Sequence, residues 1–399
     1  MCGVDANHYA DIYNATGAPP KKITILDSTL REGELHPGVS FTTEQKQKLA
    51  AMLDEFGVAQ IDIPVLTSQE RLDAARKIMR QGLEAEIVVE SRINRADIDA
   101  ALSCDAKWVA TYIGVSNIHL TENLNITEEE AVAKVTDFVD YVKSHGLRVR
   151  LGLEDSSRAD HKFLLRVAEA AEETKVDSLA LVDTVGIMLP RGMHNLVSSV
   201  RKRVRMALEV HTHNDMGLAL ANALAACDAG AGQIHTAVNG IGERIGIPAL
   251  AETAVALTYL YRSPNNFRLD MLQGISRHVQ EYTGTAPYDS MPIVGECAYK
   301  HKAGTHLAAI LRNPKAYEPV PPQAVGNQRR VIFGELAGKA GASYLMAVLG
   351  ITDNSSPEDV AASLKKLGIG DLVDIPLDER LQRIAGMDHR YAVAGKNRP

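Results

Sequence analysis

Eight short runs of β-branched and apolar residues, separated by amphipathic helical stretches, constrain this chain more than any other feature. The strand runs are Ile23–Asp27, Val58–Pro64, Glu86–Glu90, Trp108–Ile113, Arg148–Leu153, Ser178–Asp183, Ala207–Thr212 and Gln233–Val238. Helical periodicity fills the intervals, as in Thr43–Phe56, Glu128–His145 and Asp160–Thr174. Strand–helix alternation specifies parallel strands with crossover helices, and eight such units close on themselves. A doubly wound sheet of six would leave two runs unused. The expectation is an α/β fold: a (β/α)8 TIM barrel over 21–275, after a polar tail at 1–20. The alternation stops near Ser263, and a C-terminal, mainly helical extension is expected over 276–399, with residues 385–399 fraying.

Composition narrows the function. A net charge of -7 and an aromatic content of 5% offer neither the basic face nor the stacking platforms of nucleic-acid binders. The four cysteines are scattered without a C-x-x-C pair, which reads as a reduced, cytoplasmic chain. No apolar run approaches the roughly 18 residues of a membrane span, and residues 1–20 lack a signal-peptide core.

The chemistry concentrates at strand ends, where barrel active sites are built. Asp27-Ser-Thr-Leu-Arg-Glu-Gly-Glu34 crowds opposite charges at the end of the first strand. His211 and His213 close the seventh; two residues apart on a strand, their rings face one side. Strands 1, 7 and 8 are neighbours in a closed barrel, so Glu32 can join the two imidazoles in an open, catalytic type of divalent metal site. These ligands do not choose among Zn, Mn, Co and Mg. On the fifth strand, Val149, Leu151 and Leu153 alternate with Arg150, Gly152 and Glu154. The second set points into the barrel, where Arg150 requires an anionic partner, either a substrate or Glu154 itself. Asn239–Gly246 is glycine-rich without dinucleotide-loop spacing, so its glycines are read as allowing close backbone approach to a ligand.

In combination these motifs resemble the homocitrate synthase and 2-isopropylmalate synthase family. Asp27–Glu34, His211-Thr-His-Asn-Asp215, Gly240-Ile-Gly-Glu-Arg244 and His301-Lys-Ala-Gly304 occur in the family's order, with Glu154-Asp-Ser156 and Asp183-Thr-Val-Gly186 between them. The resemblance spans about residues 22–345 and implies Claisen-type condensation of acetyl-CoA with a 2-oxo acid, then thioester hydrolysis. It implies metal ligands Glu32, His211 and His213, and Arg31 beside the developing alkoxide with Asp27 orienting it. It further implies Glu154 and His301 as an acid–base pair assisted by Tyr317. Arg150 and Thr184 match positions for the acceptor's distal carboxylate. The C-terminal region would reach the partner's active site in a homodimer with exchanged C-terminal regions.

The departures fall on the acceptor pocket. Leu35 stands where homocitrate synthases carry Gln, Gly152 where they carry Ser, and Glu90–Asn94 lacks their histidine. An acceptor that is still anionic but differently shaped is expected: 2-oxoglutarate giving homocitrate, or phosphonopyruvate giving 2-phosphonomethylmalate in phosphonate biosynthesis. The alternative is a retro-aldol acyl-CoA lyase on the same barrel, although such lyases place a cysteine after the eighth strand and Asn239–Gly246 has none.

Overall fold

The computed structural model describes Asn14, residues 21–334, Leu336, 338–350, 356–366 and 373–377; the expected tail at 1–20 (Asn14 apart) and the expected fraying at 385–399 lie outside them. Eight parallel strands, β1 (Thr24–Asp27), β2 (Gln60–Ile63), β3 (Glu86–Glu90), β4 (Trp108–Gly114), β5 (Arg148–Glu154), β6 (Ser178–Asp183), β7 (Ala207–Thr212) and β8 (Gln233–Thr236), close into one barrel. The seam is a four-residue parallel pairing of β1 with β8, from Thr24↔Gln233 to Asp27↔Thr236.

The helices between the strands form for visible reasons. α1 (Thr43–Phe56) opens on a reciprocal capping box between Thr42 and Gln45, which satisfies two otherwise orphaned amides. α2 (Gln69–Met79), α3 (Arg95–Leu102) and α4 (Glu128–Ser144) are capped by Ser68, Asn94 and Thr127. α5 (His161–Glu173) buries Phe163, Leu164, Val167, Ala168 and Ala171 on one stripe, the three-and-four spacing of an amphipathic helix. α6 (Pro190–Arg201), α7 (Ala219–Asp228) and α8 (Leu250–Tyr259) complete the ring. On β5, Val149, Leu151 and Leu153 are fully buried, which leaves the alternate face for the barrel interior.

The chain divides into two compact units, one running to Leu269 and including 274–286, the other comprising 270–273 and the chain from Pro287 on. α9 (Leu272–Thr283) crosses between them in sequence. The second unit contains α10 (Gly304–Arg312), α11 (Gly338–Leu349) and α12 (Pro357–Lys366). It also contains a small sheet that the sequence reading did not anticipate: β9 (Lys300–His301) pairs parallel with β10 (Arg330–Phe333), which pairs antiparallel with β11 (Val373–Pro376). Strands of two to four residues are too short to show a period. Leu307, Ile310, Val331, Phe333 and Tyr344 form this unit's core. Among the described residues, no helix is long and apolar enough to cross a membrane.

Candidate active site

A cleft of about 430 Å³ is lined by Arg31, Glu32, Leu35, Glu90, Arg150, Gly152, Glu154, Thr184, His211 and His213, among others. All belong to barrel strands or to the loops that follow them. The strand ends therefore bring together every expected barrel residue except Asp27, at the β1–β8 seam, and Asn94, whose side chain accepts the Asp97 amide as the cap of α3. His301 and Tyr317 belong to the second unit. There the His301 ring lies 3.2 Å from Glu318 Oε1, and Tyr317 stacks on His306 with ring centres 4.0 Å apart.

At one corner, ligand atoms of Glu32, His211 and His213 lie within 4.8 Å of one another. His211 Nε2 stands 3.9 Å from Glu32 Oε2. Its other nitrogen, Nδ1, lies 3.2 Å from His235 Nδ1, and His235 Nε2 lies 2.8 Å from Glu209 Oε2. One tautomer satisfies the chain: His211 Nδ1–H donates to His235, whose Nε2–H donates to Glu209. This relay fixes the ring and leaves Nε2 of His211 as a free lone pair, the arrangement that metal-bound histidines favour. The buried Nδ1 of His213 has no hydrogen-bond partner among the described residues. Burial pushes the pKa of both rings down, and for His211 the neighbouring His213 adds to this. Neutral imidazoles, a carboxylate and an orphaned buried nitrogen fit a divalent cation.

The loop after β8 holds Glu32, the third member of this trio. Glu243 N–H donates to Glu32 Oε1 (2.9 Å), and a Cβ at Gly242 would come within 2.9 Å of both Cγ and Oε1 of Glu32. The close approach expected of these glycines is thus made to a carboxylate of the chain. Arg244 ties the same loop to its neighbours, pairing with Asp215 at 2.8 Å and donating to the Thr184 carbonyl at 2.6 Å.

Arg31 Nη1–H donates to Glu32 Oε2 (2.7 Å) and Nε–H to Asp62 Oδ2 (3.0 Å). Asp62, rather than Asp27, therefore orients Arg31. Asp27 accepts from Thr29 N–H and Thr236 Oγ–H, each at 3.0 Å, stitching the barrel seam, and burial raises its pKa to about 6.

At the other corner Arg150, almost fully buried, faces Asp62 (3.2 Å), Glu90 (3.5 Å) and Glu209 (3.9 Å). Glu154 is not among these partners. Arg150 Nη1 makes no hydrogen bond among the described residues. Burial raises Glu90 to about 7, and the charge of Asp62 adds to that rise. Burial also pushes Asp62 up, but Arg150 and Arg31 outweigh it and hold the carboxyl below its ordinary value.

Sequence reasoning missed Asp62, Glu209, His235 and His119. A signal existed for three of them. Asp62 lies two residues after Gln60, Glu209 two before His211, and His235 two after Gln233, so strand alternation alone turns them inward. His119 opens a short π turn beyond β4, where no period marks it.

The HMGL-like family profile matches residues 22–279, and that of the homocitrate synthase post-HMGL domain-like family matches 293–369. The chain is 42% identical over 352 residues to the homocitrate synthase AksA of Methanopyrus kandleri, covering 88% of each chain. It is 40% identical to a probable 2-isopropylmalate synthase of Ignicoccus hospitalis, again over 88% of each. It is 37% identical to a putative (R)-citramalate synthase CimA of M. kandleri, covering 89% of this chain and 70% of that one. Among solved structures, a hydroxymethylglutaryl-CoA lyase of Pseudomonas aeruginosa superposes with a TM-score of 0.61 at 20% identity, over 67% of this chain and 95% of that one; at that identity it speaks to the fold.

Proposed function

Since the chain belongs to the HMGL-like family, with a homocitrate synthase post-HMGL domain-like segment after its barrel, we propose that it condenses acetyl-CoA with an anionic 2-oxo acid and then hydrolyses the thioester. The observation that carries this reading is one cleft holding a metal-type trio at one corner and a buried arginine at the other. Glu32, His211 and His213 would hold a divalent ion, which when bound polarises the acceptor's keto oxygen. Arg31 is fixed beside Glu32 by Asp62 and so needs no reorganisation to stabilise an alkoxide forming there. Glu154, on the same inward face as Arg150, would accept the methyl proton of acetyl-CoA, leaving the C–H electron pair as an enolate. Arg150 and Thr184 would receive the acceptor's far end.

Near-equal similarity to relatives named for three different products leaves the acceptor to the pocket. Gly152 adds no side chain beside Arg150, and the Nη1 of Arg150, which makes no hydrogen bond among the described residues, favours an acceptor whose far end is anionic. 2-Oxoglutarate and phosphonopyruvate both satisfy this. The test is release of free CoA thiol with 2-oxoglutarate, phosphonopyruvate, oxaloacetate, pyruvate and 2-oxoisovalerate in turn, with divalent metal supplied. Turnover fastest with a distally anionic acceptor is expected. No release with any of them refutes the reaction, and preference for 2-oxoisovalerate refutes the anionic pocket. His301 and Tyr317 would serve the site of a second copy, so a mixture of inactive E154Q and H301A chains should regain activity.

A further inference from the structure

We propose that His119 is a positioning residue for Glu154, seated in the same subunit to keep that carboxyl in its proton-accepting form. It opens a single π turn, His119–Leu124, just beyond β4, and the turn ends on Asn125 at φ 51°. Isolated π turns in globular proteins concentrate at functional sites. The imidazole occupies a space that exists because β4 ends in glycine. A Cβ on Gly114 would come 2.6 Å from His119 Cβ and 2.8 Å from Nδ1. Nδ1 stands 3.5 Å from Glu154 Oε2 and Nε2 3.7 Å from Asp155 Oδ2. Nδ1 is buried and makes no hydrogen bond among the described residues.

The two carboxylates beside the ring differ. Asp155 is fully buried, held at φ 63°, and already accepts from Arg158 Nε–H at 2.9 and 3.0 Å. Its own N–H donates to Thr184 Oγ1 at 2.7 Å. Left-handed backbone at a non-glycine residue persists only where the surroundings impose it. Among the described residues, no lysine or arginine pairs with Glu154. The titratable groups that face it are His119, Asp155 and, from β4, Tyr112. Burial pushes the Glu154 carboxyl up, His119 pulls it back, and the charge of Asp155 raises it again. A small ring rotation converts the 3.5 Å approach into a hydrogen bond that favours the carboxylate.

The catalytic consequence rests on the condensation reading, whereas the coupling between the two side chains does not. The experiment therefore has two arms. In the first, kcat for CoA release is followed against pH. Relative to wild type, H119F should move the acidic limb to higher pH by at least about half a unit, with kcat recovering to within about threefold on the alkaline plateau. H119N, whose amide can stand in for Nδ1–H, should restore much of the limb. G114A, which keeps the imidazole but displaces it, should shift the limb in the same direction as H119F. A limb that stays in place while kcat falls equally at every pH overturns the proposal. In the second arm, the His119 ring nitrogens are compared by 15N NMR in wild type and E154Q, and a displaced Nδ1 resonance is expected in E154Q. Ring resonances that coincide in the two chains also overturn the proposal. Intact coupling in a protein that condenses nothing would overturn the condensation reading alone.

Discussion

The two corners of the cleft are built on opposite principles. At the metal-type corner, ligand atoms are left without hydrogen-bond partners among the described residues: His213 Nδ1 is orphaned, and His211 presents Nε2 toward Glu32. Fixing comes from behind, through His235, Glu209 and the Glu243 amide. At the Arg150 corner the buried cation is surrounded by Asp62, Glu90 and Glu209. An unpaired guanidinium is far costlier to bury than a neutral imidazole, so the first must be neutralised by the fold and the second need not be. One corner therefore waits for its ligand, and the other makes an incoming anion compete with Asp62.

This contrast can be broken most sharply at the metal corner. H213A should lower kcat/KM about 10³-fold or more while the thermal midpoint of the metal-free chain stays close to that of metal-free wild type, and dialysis of the wild type against a chelator should lower kcat/KM as far. Metal analysis beside the thiol assay checks it, and an H213A chain that is active without bound metal would end the contrast. R150M should behave in the opposite way, destabilising the fold by about 3–5 kcal/mol because it strands buried carboxylates. Denaturant unfolding measures that cost, and an unchanged midpoint would mean that Arg150 is not neutralised internally. G242A presses a methyl group on Glu32 and should weaken metal affinity about 10- to 100-fold, read by competitive metal titration.

The smallest effect expected is on pH dependence. With Glu90 near 7 in the fold and about 4.5 when unfolded, the native chain keeps a proton that the unfolded chain has lost between those values. The stability this supplies is complete below about 4.5 and is lost as pH rises through about 7. E90Q should therefore give a flatter melting temperature between about pH 5 and pH 8 than wild type. Parallel curves would show that Glu90 does not carry the excess proton.

Legibility in the sequence followed the same division. The barrel could be read because each strand and each helix shows its own period, and Ser178–Asp183 and Ala207–Thr212 fall where alternation places them. Glu32, His211 and His213 were legible because ligand chemistry restricts residue types. The partners of Arg150 were not, since they come from β2, β3 and β7 and only closure brings them together. Asp27 was misassigned for a related reason. Its neighbour across the seam, Thr236, is distant in sequence, whereas Arg31 is near. The sheet of the second unit escaped because its strands are too short to carry a pattern.

The Glu243 amide reaches Glu32 across 211 positions of chain, and it does so just above the β1–β8 seam. The trio together with the Glu243 amide thus joins the first strand of the barrel to its last two. A cation held there would act as a topological clasp: it binds only the closed ring, so its binding free energy adds to the stability of the closed barrel over the open chain. Metal occupancy should then report ring closure as well as catalytic competence, since a barrel open at its seam has no ligand set to offer.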